Sequence, residues 1–335
     1  MPRVSSGLFP RIAGETRNPF RVGLILVLIG VVLLSAVRLN GPLGIVAVIG
    51  WPLLFLIYVW ETDVFRDIPA RILVTAMLLG IGLGVGAWLF AGKVIAGSYG
   101  VSTGSGLLLL GEQLHIGFLI SLGGAVIMLV PALVTRLFRI PVRESLDGFV
   151  VGAFGALWYS TAATTTILAP QFAEGLQEDQ SGERLLQDSI TYGIASAVVT
   201  TAAGGVVGLL LWFQSREGRD PRRPRAALAI CAALAVGSYL AVWAVDSLGL
   251  PRFTDMTAKL AVAALALIVV RCAVQIALLH EEPDPASGDP VLCVHCERIV
   301  PDLPFCVGCG AAARASSRSS RRLRHEFPPV RHAVE

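Results

Sequence analysis

Four cysteines near the end of the chain carry the most readable chemistry. Cys293-Val-His-Cys296 and Cys306-Val-Gly-Cys309 are two C-x-x-C pairs with nine residues between them. Thiolates bind Zn²⁺ tightly, and two such pairs close a tetrahedron around one ion. Four sulfurs fill that coordination sphere, so a zinc held this way is structural and not catalytic. Gly310 follows the second pair directly and lets the turn close without a Cβ clash. Glu297 stands in the corresponding place after the first pair. His295 offers an imidazole inside the first pair, but four thiolates already suffice, and it reads as a surface residue. The other two of the six cysteines, Cys231 and Cys272, lie in apolar runs and read as packing residues. Disulfides are the alternative for the tail cluster, but they need an oxidising compartment. The charge pattern described below places the tail in the cytoplasm.

A module of this size cannot build a core, so zinc supplies its folding energy. The spacer Glu297–Phe305 is long enough for a minimal β-hairpin. The block Leu292–Ala311 resembles the short zinc ribbons, whose pattern is C-x-x-C, a strand pair, then F-C-x-x-C-G. Phe305-Cys306-Val-Gly-Cys309-Gly310 matches the second half of that pattern residue for residue. The resemblance implies a docking module (residues 291–311) that engages a cytoplasmic or membrane protein partner. Before it, residues 280–290 are rich in Pro and carboxylates and read as an extended linker. After it, residues 312–335 are rich in Ser and Arg and read as disordered. Arg314, Arg318, Arg321, Arg322 and Arg324 suit a solvated tail or contact with anionic lipid. No aromatic platform for stacked bases accompanies them, which argues against nucleic acid.

The elements that must position this tail are apolar. The 335 residues are 54% hydrophobic and only 15% charged, with a mean hydropathy of +0.70. Soluble domains carry about 25% charged residues. Runs of roughly 18 or more apolar residues recur, each long enough to cross the bilayer core. The sequence predicts eight, at about 22–38, 43–60, 71–92, 113–136, 147–170, 188–213, 226–246 and 256–279. Backbone polar groups in lipid must be satisfied internally, so all should be helices. The expected fold is an all-α polytopic membrane bundle over residues 22–279, preceded by a basic N-terminal segment (1–21) and followed by the small zinc ribbon. The first apolar stretch runs to about Leu39, too long for a signal-peptide core, and reads as a retained span.

Basic residues set the orientation. With the N-terminus inside, the inner segments hold Arg3, Arg11, Arg17, Arg21, Arg66, Arg71, Arg136, Arg139, Arg143, the cluster Arg216–Arg225 and the tail arginines. The outer segments hold only Arg38, Lys93, Arg184, Arg252 and Lys259. Both termini are therefore expected in the cytoplasm, with the chain in the plasma membrane. Two outer loops stand out. Residues 93–112 are rich in Gly and Ser, and residues 171–187 carry Glu174, Glu178, Asp179 and Glu183 against Arg184.

Polar groups inside spans are costly and mark candidate sites. Glu112 and His115 sit at the expected start of the fourth span, three residues apart on one helix face. A metal or a shared proton is the sharp reading there, and an interfacial hydrogen-bonded pair the plain one. Asp188 and Asp255 fit helix N-caps, Asp246 ends the seventh span, and Arg271 lies toward the inner end of the eighth. The fifth span is the most unusual. Gly148 and Gly152 give a small-xxx-small face, while Ser160, Thr161 and Thr164–Thr166 make its outer half polar. Those hydroxyls either bond back to their own helix or line a cavity. Gly204, Gly205 and Gly208 in the sixth span, and Gly80, Gly82, Gly84 and Gly86 in the third, read as packing positions.

Leu146-Asp147-Gly148-Phe-Val-Val-Gly152-Ala153 resembles the D-G-x-x-x-G-A helix of PrsW-type intramembrane proteases. Pro52-Leu-Leu-Phe-Leu-Ile-Tyr-Val-Trp-Glu61-Thr-Asp63, followed by Asp67-Ile-Pro69, is similar to actinobacterial members of that group. The likeness covers roughly residues 45–215. It implies a paired-glutamate motif, a Glu-Asn later in the D-G helix and a histidine in a following span. Here Ala163-Thr164 stand where the Glu-Asn would be, the only Glu-Glu pair is Glu281-Glu282 beyond the last span, and no histidine lies between His115 and His280. Water activation needs a base or metal ligands. The resemblance therefore implies a non-proteolytic member that binds helices or acts as a scaffold. A transporter or permease is the second reading, although the sequence offers no clear ionisable group at the midplane. A protease with its site relocated to Glu112 and His115 is the third.

Overall fold

The computed structural model describes residues 18–37, 40–61, 68–99, 106–138, 144–173, 187, 189–215, 222–281, 291–292 and 298–300. Their helices are α1 (Asn18–Ala36), α2 (Asn40–Glu61), α3 (Ala70–Tyr99), α4 (Gly106–Ile127), α5 (Val130–Arg136), α6 (Ser145–Ala173), α7 (Ser196–Trp212), α8 (Arg222–Ser247) and α9 (Arg252–His280). A π-helical turn, Ser189–Ala195, leads into α7. Two short strands, β1 (Val291–Leu292) and β2 (Ile299–Val300), follow.

Among the described residues, seven helical stretches are long and apolar enough to cross a membrane. Seven of the eight expected spans are among them. The one that drops out is the fifth, α6. Trp158, Tyr159, Ser160, Thr161 and Thr164–Thr166 dilute its apolar content. Its position explains how it tolerates them. Large apolar side chains exposed on α1–α4, α8 and α9 suit contact with acyl chains, whereas α6 exposes only Ile167 and α7 none among the described residues. Both helices lie inside, with α2 and α3 packed on α6, and α8 and α9 packed on α7.

The two central helices meet through glycine. A β-carbon on Gly148 would strike the Gly208 carbonyl, and one on Gly152 the Gly204 carbonyl. On the facing side, a β-carbon on Gly204 would strike Ala156. The paired numbers run in opposite directions, so α6 and α7 are antiparallel. Small residues at this spacing let backbones approach closely, which drives helix association in lipid. Another face of α6 receives α3, where Gly80 meets Gly155 and Gly84 meets Tyr159 and Ala163. These numbers rise together, so α3 and α6 are parallel. Gly82 and Gly86 face open space. Of Gly80, Gly82, Gly84 and Gly86, only the pair spaced by four makes the contact.

Several element ends differ from the sequence expectation. The fourth span is two helices. Pro131 lies in the first turn of α5, where a missing N–H costs nothing, and the chain breaks just before it. Gly and Ser between residues 93 and 112 do not prevent α3 from reaching Tyr99 or α4 from starting at Gly106. Glu112 and His115 are therefore inside α4, not at its mouth. Asp255 is not an N-cap. Pro251 occupies that position, and Asp255 lies in the first turn of α9. Asp188 lies outside the described residues.

The linker does not begin free at residue 280. The Ser145 backbone N–H and hydroxyl both donate to the Glu281 carboxylate, each at 2.6 Å. A carboxylate here satisfies an orphan donor and complements the N-terminal dipole of α6. Glu281 also forms an isolated antiparallel bridge with Ser215, just past α7. The exit of α9 is thus tied to the start of α6 and the end of α7. Beyond it, β1 pairs antiparallel with β2, Val291 opposite Val300 and Leu292 opposite Ile299. Within the spacer after Cys296, the described residues supply β2. The pair brackets residues 293–298, which contain Cys293 and Cys296. Those two cysteines, Cys306 and Cys309 lie outside the described residues.

The glycine contacts separate two substitutions of similar size. Gly152→Val should destabilise the bundle by at least about 1–3 kcal/mol, because the facing element is backbone and cannot yield. Gly82→Ala should leave thermal melting in detergent unchanged. Equal melting temperatures for the two variants would show that this contact does not hold α6 against α7.

Candidate functional site

A cavity of about 510 Å³ opens among α3, α4, α6, the π turn, α7, α8 and α9. It occupies one half of the bundle, toward the ends of α3, α6 and α8 and the starts of α7 and α9, beside the second half of α4. Its volume falls within the range of about 300–1,000 Å³ usual for small-molecule sites. Most of the wall is apolar, with a few hydroxyls and one charged group of each sign.

The close α6–α7 and α3–α6 contacts place the polar half of α6 on this wall. Ser160 and Thr164 line the cavity. Thr165 and Thr166 instead donate to the carbonyls of Thr161 and Ala162, each at 2.8 Å. Both sequence readings of these hydroxyls hold, at different residues. On α7, Thr200 lines the cavity while donating to the Ser196 carbonyl at 2.7 Å. Ser121 of α4 and Thr191 of the π turn add two more hydroxyls. Gly193 lets that turn sit against α2, since a β-carbon there would lie 2.9 Å from the Ala47 carbonyl oxygen.

Deeper in, Tyr159 and Tyr239 share a side-chain hydrogen bond. Gly124 makes room for it. A β-carbon there would sit 2.7 Å from the Tyr239 hydroxyl oxygen and 3.2 Å from that of Tyr159. Gly117, two turns earlier on the same face of α4, gives way in the same manner to the Trp243 ring.

The charged end is built by the α8–α9 turn. Gly249 takes φ +60°, a left-handed conformation that glycine adopts without a Cβ penalty. The turn brings Asp246, Asp255 and Lys259 together. The Lys259 ammonium donates to Asp246 and pairs with Asp255 at 2.8 Å. Lys259 is 1% exposed, against 42% for Asp246 and 21% for Asp255. Lysine is almost never buried this far unless paired. Lys259 and Asp246 both line the cavity.

Sequence reasoning missed Lys259, which it counted only among the outer basic residues. The available signal was the Asp255/Lys259 spacing of four on one helix, which puts opposite charges side by side. Of the other candidates, Arg271 is partly buried in α9. Cys231 belongs to the main apolar core and Cys272 packs against it, in line with a packing role. Glu112 and His115 lie in the second and third turns of α4, and their side chains are outside the described residues.

Removing one partner of a buried ion pair leaves charge uncompensated. Lys259→Met should therefore lower stability by roughly 3 kcal/mol, read as a lower melting temperature of the purified protein. Adding Asp246→Asn and Asp255→Asn should restore part of it. No recovery in the triple variant would mean that the lost stability is not electrostatic. Comparison of the chain with protein-family models, curated proteins and solved structures finds no match, so its function is argued from this geometry.

Proposed function

We propose that this is a non-catalytic multi-pass membrane protein that holds an amphiphilic ligand inside its bundle and engages a partner through a cytoplasmic zinc ribbon. One observation carries the binding half: a cavity of about 510 Å³ with a buried, doubly paired lysine at one end and exposed apolar residues at its side. The resemblance to PrsW-type proteases fits this reading. Ala163 and Thr164, which stand where that family's Glu-Asn would be, both line the cavity. On this reading the bundle would be kept, with a small apolar and a neutral hydroxyl side chain in place of the groups that would activate water.

The topology proposed is eight crossings, with α6 counted as one. It runs alongside α3 and α7, which are themselves apolar enough to span. An even number puts both termini on one side, and the arginine distribution makes that side the cytoplasm. The cavity then lies in the outer half of the plasma membrane. A permease is the second reading, because Lys259 supplies the buried ionisable group that the sequence did not reveal. Its place in the second turn of α9, near a helix end, favours binding over passage.

The antiparallel β1–β2 pair, which the ribbon pattern calls for, supports this reading. Cys293, Cys296, Cys306 and Cys309 would hold one Zn²⁺, whose contribution is folding energy and not chemistry. The Glu281 contacts at the end of α9 would fix where the ribbon's linker leaves the bundle.

Native mass spectrometry of protein extracted from its own membrane should find a small amphiphile bound to the folded chain. Gly123→Leu should remove it, because that position lines the cavity and its side chain would enter open space. Persistence of the adduct in the variant would remove the cavity as its site. Metal analysis of the full chain should give about one zinc per protein, lost with Cys306→Ser. A metal-free chain would sink the ribbon.

A further inference from the structure

We infer that the ligand of this cavity is an amphiphile with an ammonium head and an apolar tail that enters from the outer leaflet. The inference rests on the cavity being a ligand site and adds the chemistry of what fills it.

Charge at the polar end sets the head. Among the described residues, one ammonium, Lys259, faces two carboxylates, Asp246 and Asp255, a formal excess of one negative charge. Lys259 is engaged by both carboxylates and is a poor anchor for an anion. Asp246 lines the cavity and keeps 42% of its side chain exposed. A carboxylate next to low-dielectric walls attracts a cation more strongly than one in water.

Aromatic rings supply the second recognition element. Trp88, Tyr159, Tyr239 and Trp243 all line the space. Aromatic faces attract ammonium groups, Trp most strongly, and the attraction grows where water is excluded. An anionic head would meet both the excess carboxylate and the negative ring faces.

The tail is set by the side wall. Phe90 of α3, Leu119 of α4 and Ile167 of α6 line the cavity and are also exposed on the bundle surface. In a bilayer that surface faces acyl chains. An amphiphile can therefore place its head by Asp246 while its tail lies along these residues, continuous with lipid. A polar solute lacking a tail would leave this wall uncovered.

The test uses the full chain in maltoside micelles with three probes of equal tail length: dodecyltrimethylammonium, dodecyl sulfate and dodecanol. Binding is read below the probes' own micellar concentrations, by quenching of tryptophan fluorescence and by the shift in melting temperature. The ammonium probe should bind at least tenfold more tightly than the sulfate. Asp246→Asn should weaken the ammonium probe about tenfold and leave dodecanol unchanged, and Asp246→Glu should restore it. Lys259 retains Asp255 in the asparagine variant. The ammonium-over-sulfate preference of the unsubstituted protein decides the point by itself should that variant fail to fold. Gly123→Leu should weaken all three probes. Equal or tighter binding of the sulfate, or ammonium affinity unchanged in a folded Asp246→Asn, overturns the inference while Gly123-sensitive binding leaves the cavity reading standing. Absence of any Gly123-sensitive binding overturns both.

Discussion

The approach of α6 to α7 through Gly148, Gly152, Gly204 and Gly208 is the contact on which the rest of the structure depends. In lipid there is no hydrophobic drive to bring two helices together, so packing and polar contacts must do it. Four missing side chains let two backbones touch. That contact draws into the interior the helix least suited to face acyl chains. Once inside, Tyr159, Ser160, Thr161 and Thr164 need no lipid exposure, and all four are buried. At its other end α6 lines the cavity with Ser160, Ala163 and Thr164, which are also small. Cavity and glycine seam are two consequences of how small residues are distributed along one helix.

The bundle closes at its two ends by different chemistry. At the cavity end, a left-handed glycine reverses the chain and three charged side chains clamp α8 to α9. At the opposite end, Glu281 binds the start of α6 and pairs beside Ser215. Buried ion groups of the first kind contribute little net stability relative to apolar residues, yet are costly to break. Their value lies in specifying geometry, here the position of Asp246 on the cavity wall. The second clasp specifies where the chain leaves the membrane domain.

Much of this was legible in the sequence, for identifiable reasons. Long apolar runs must become helices, so their existence followed from composition alone. Glycines spaced by four on the fifth and sixth spans announced the seam, because that spacing is the geometry of a helix face. What escaped notice depends on neighbours distant in the chain. Lys259 looks like a flanking outer residue until the turn at Gly249 folds Asp246 onto it. Glu281 looks like part of an acidic linker, because its partner Ser145 lies 136 residues earlier. Gly82 and Gly84 look alike in sequence, and only the direction in which α6 lies tells them apart. The seventh-versus-eighth span question has the same origin. Hydropathy measures a helix against lipid, whereas α6 is surrounded by protein.

An experimental map of the full chain in lipid nanodiscs tests the central claim most directly. Extended density is expected inside the bundle, with its polar end by Asp246 and its remainder passing out between Phe90, Leu119 and Ile167. A map in which the side chains around Gly124, Tyr159 and Tyr239 close into this space, leaving no room for a ligand, would contradict it.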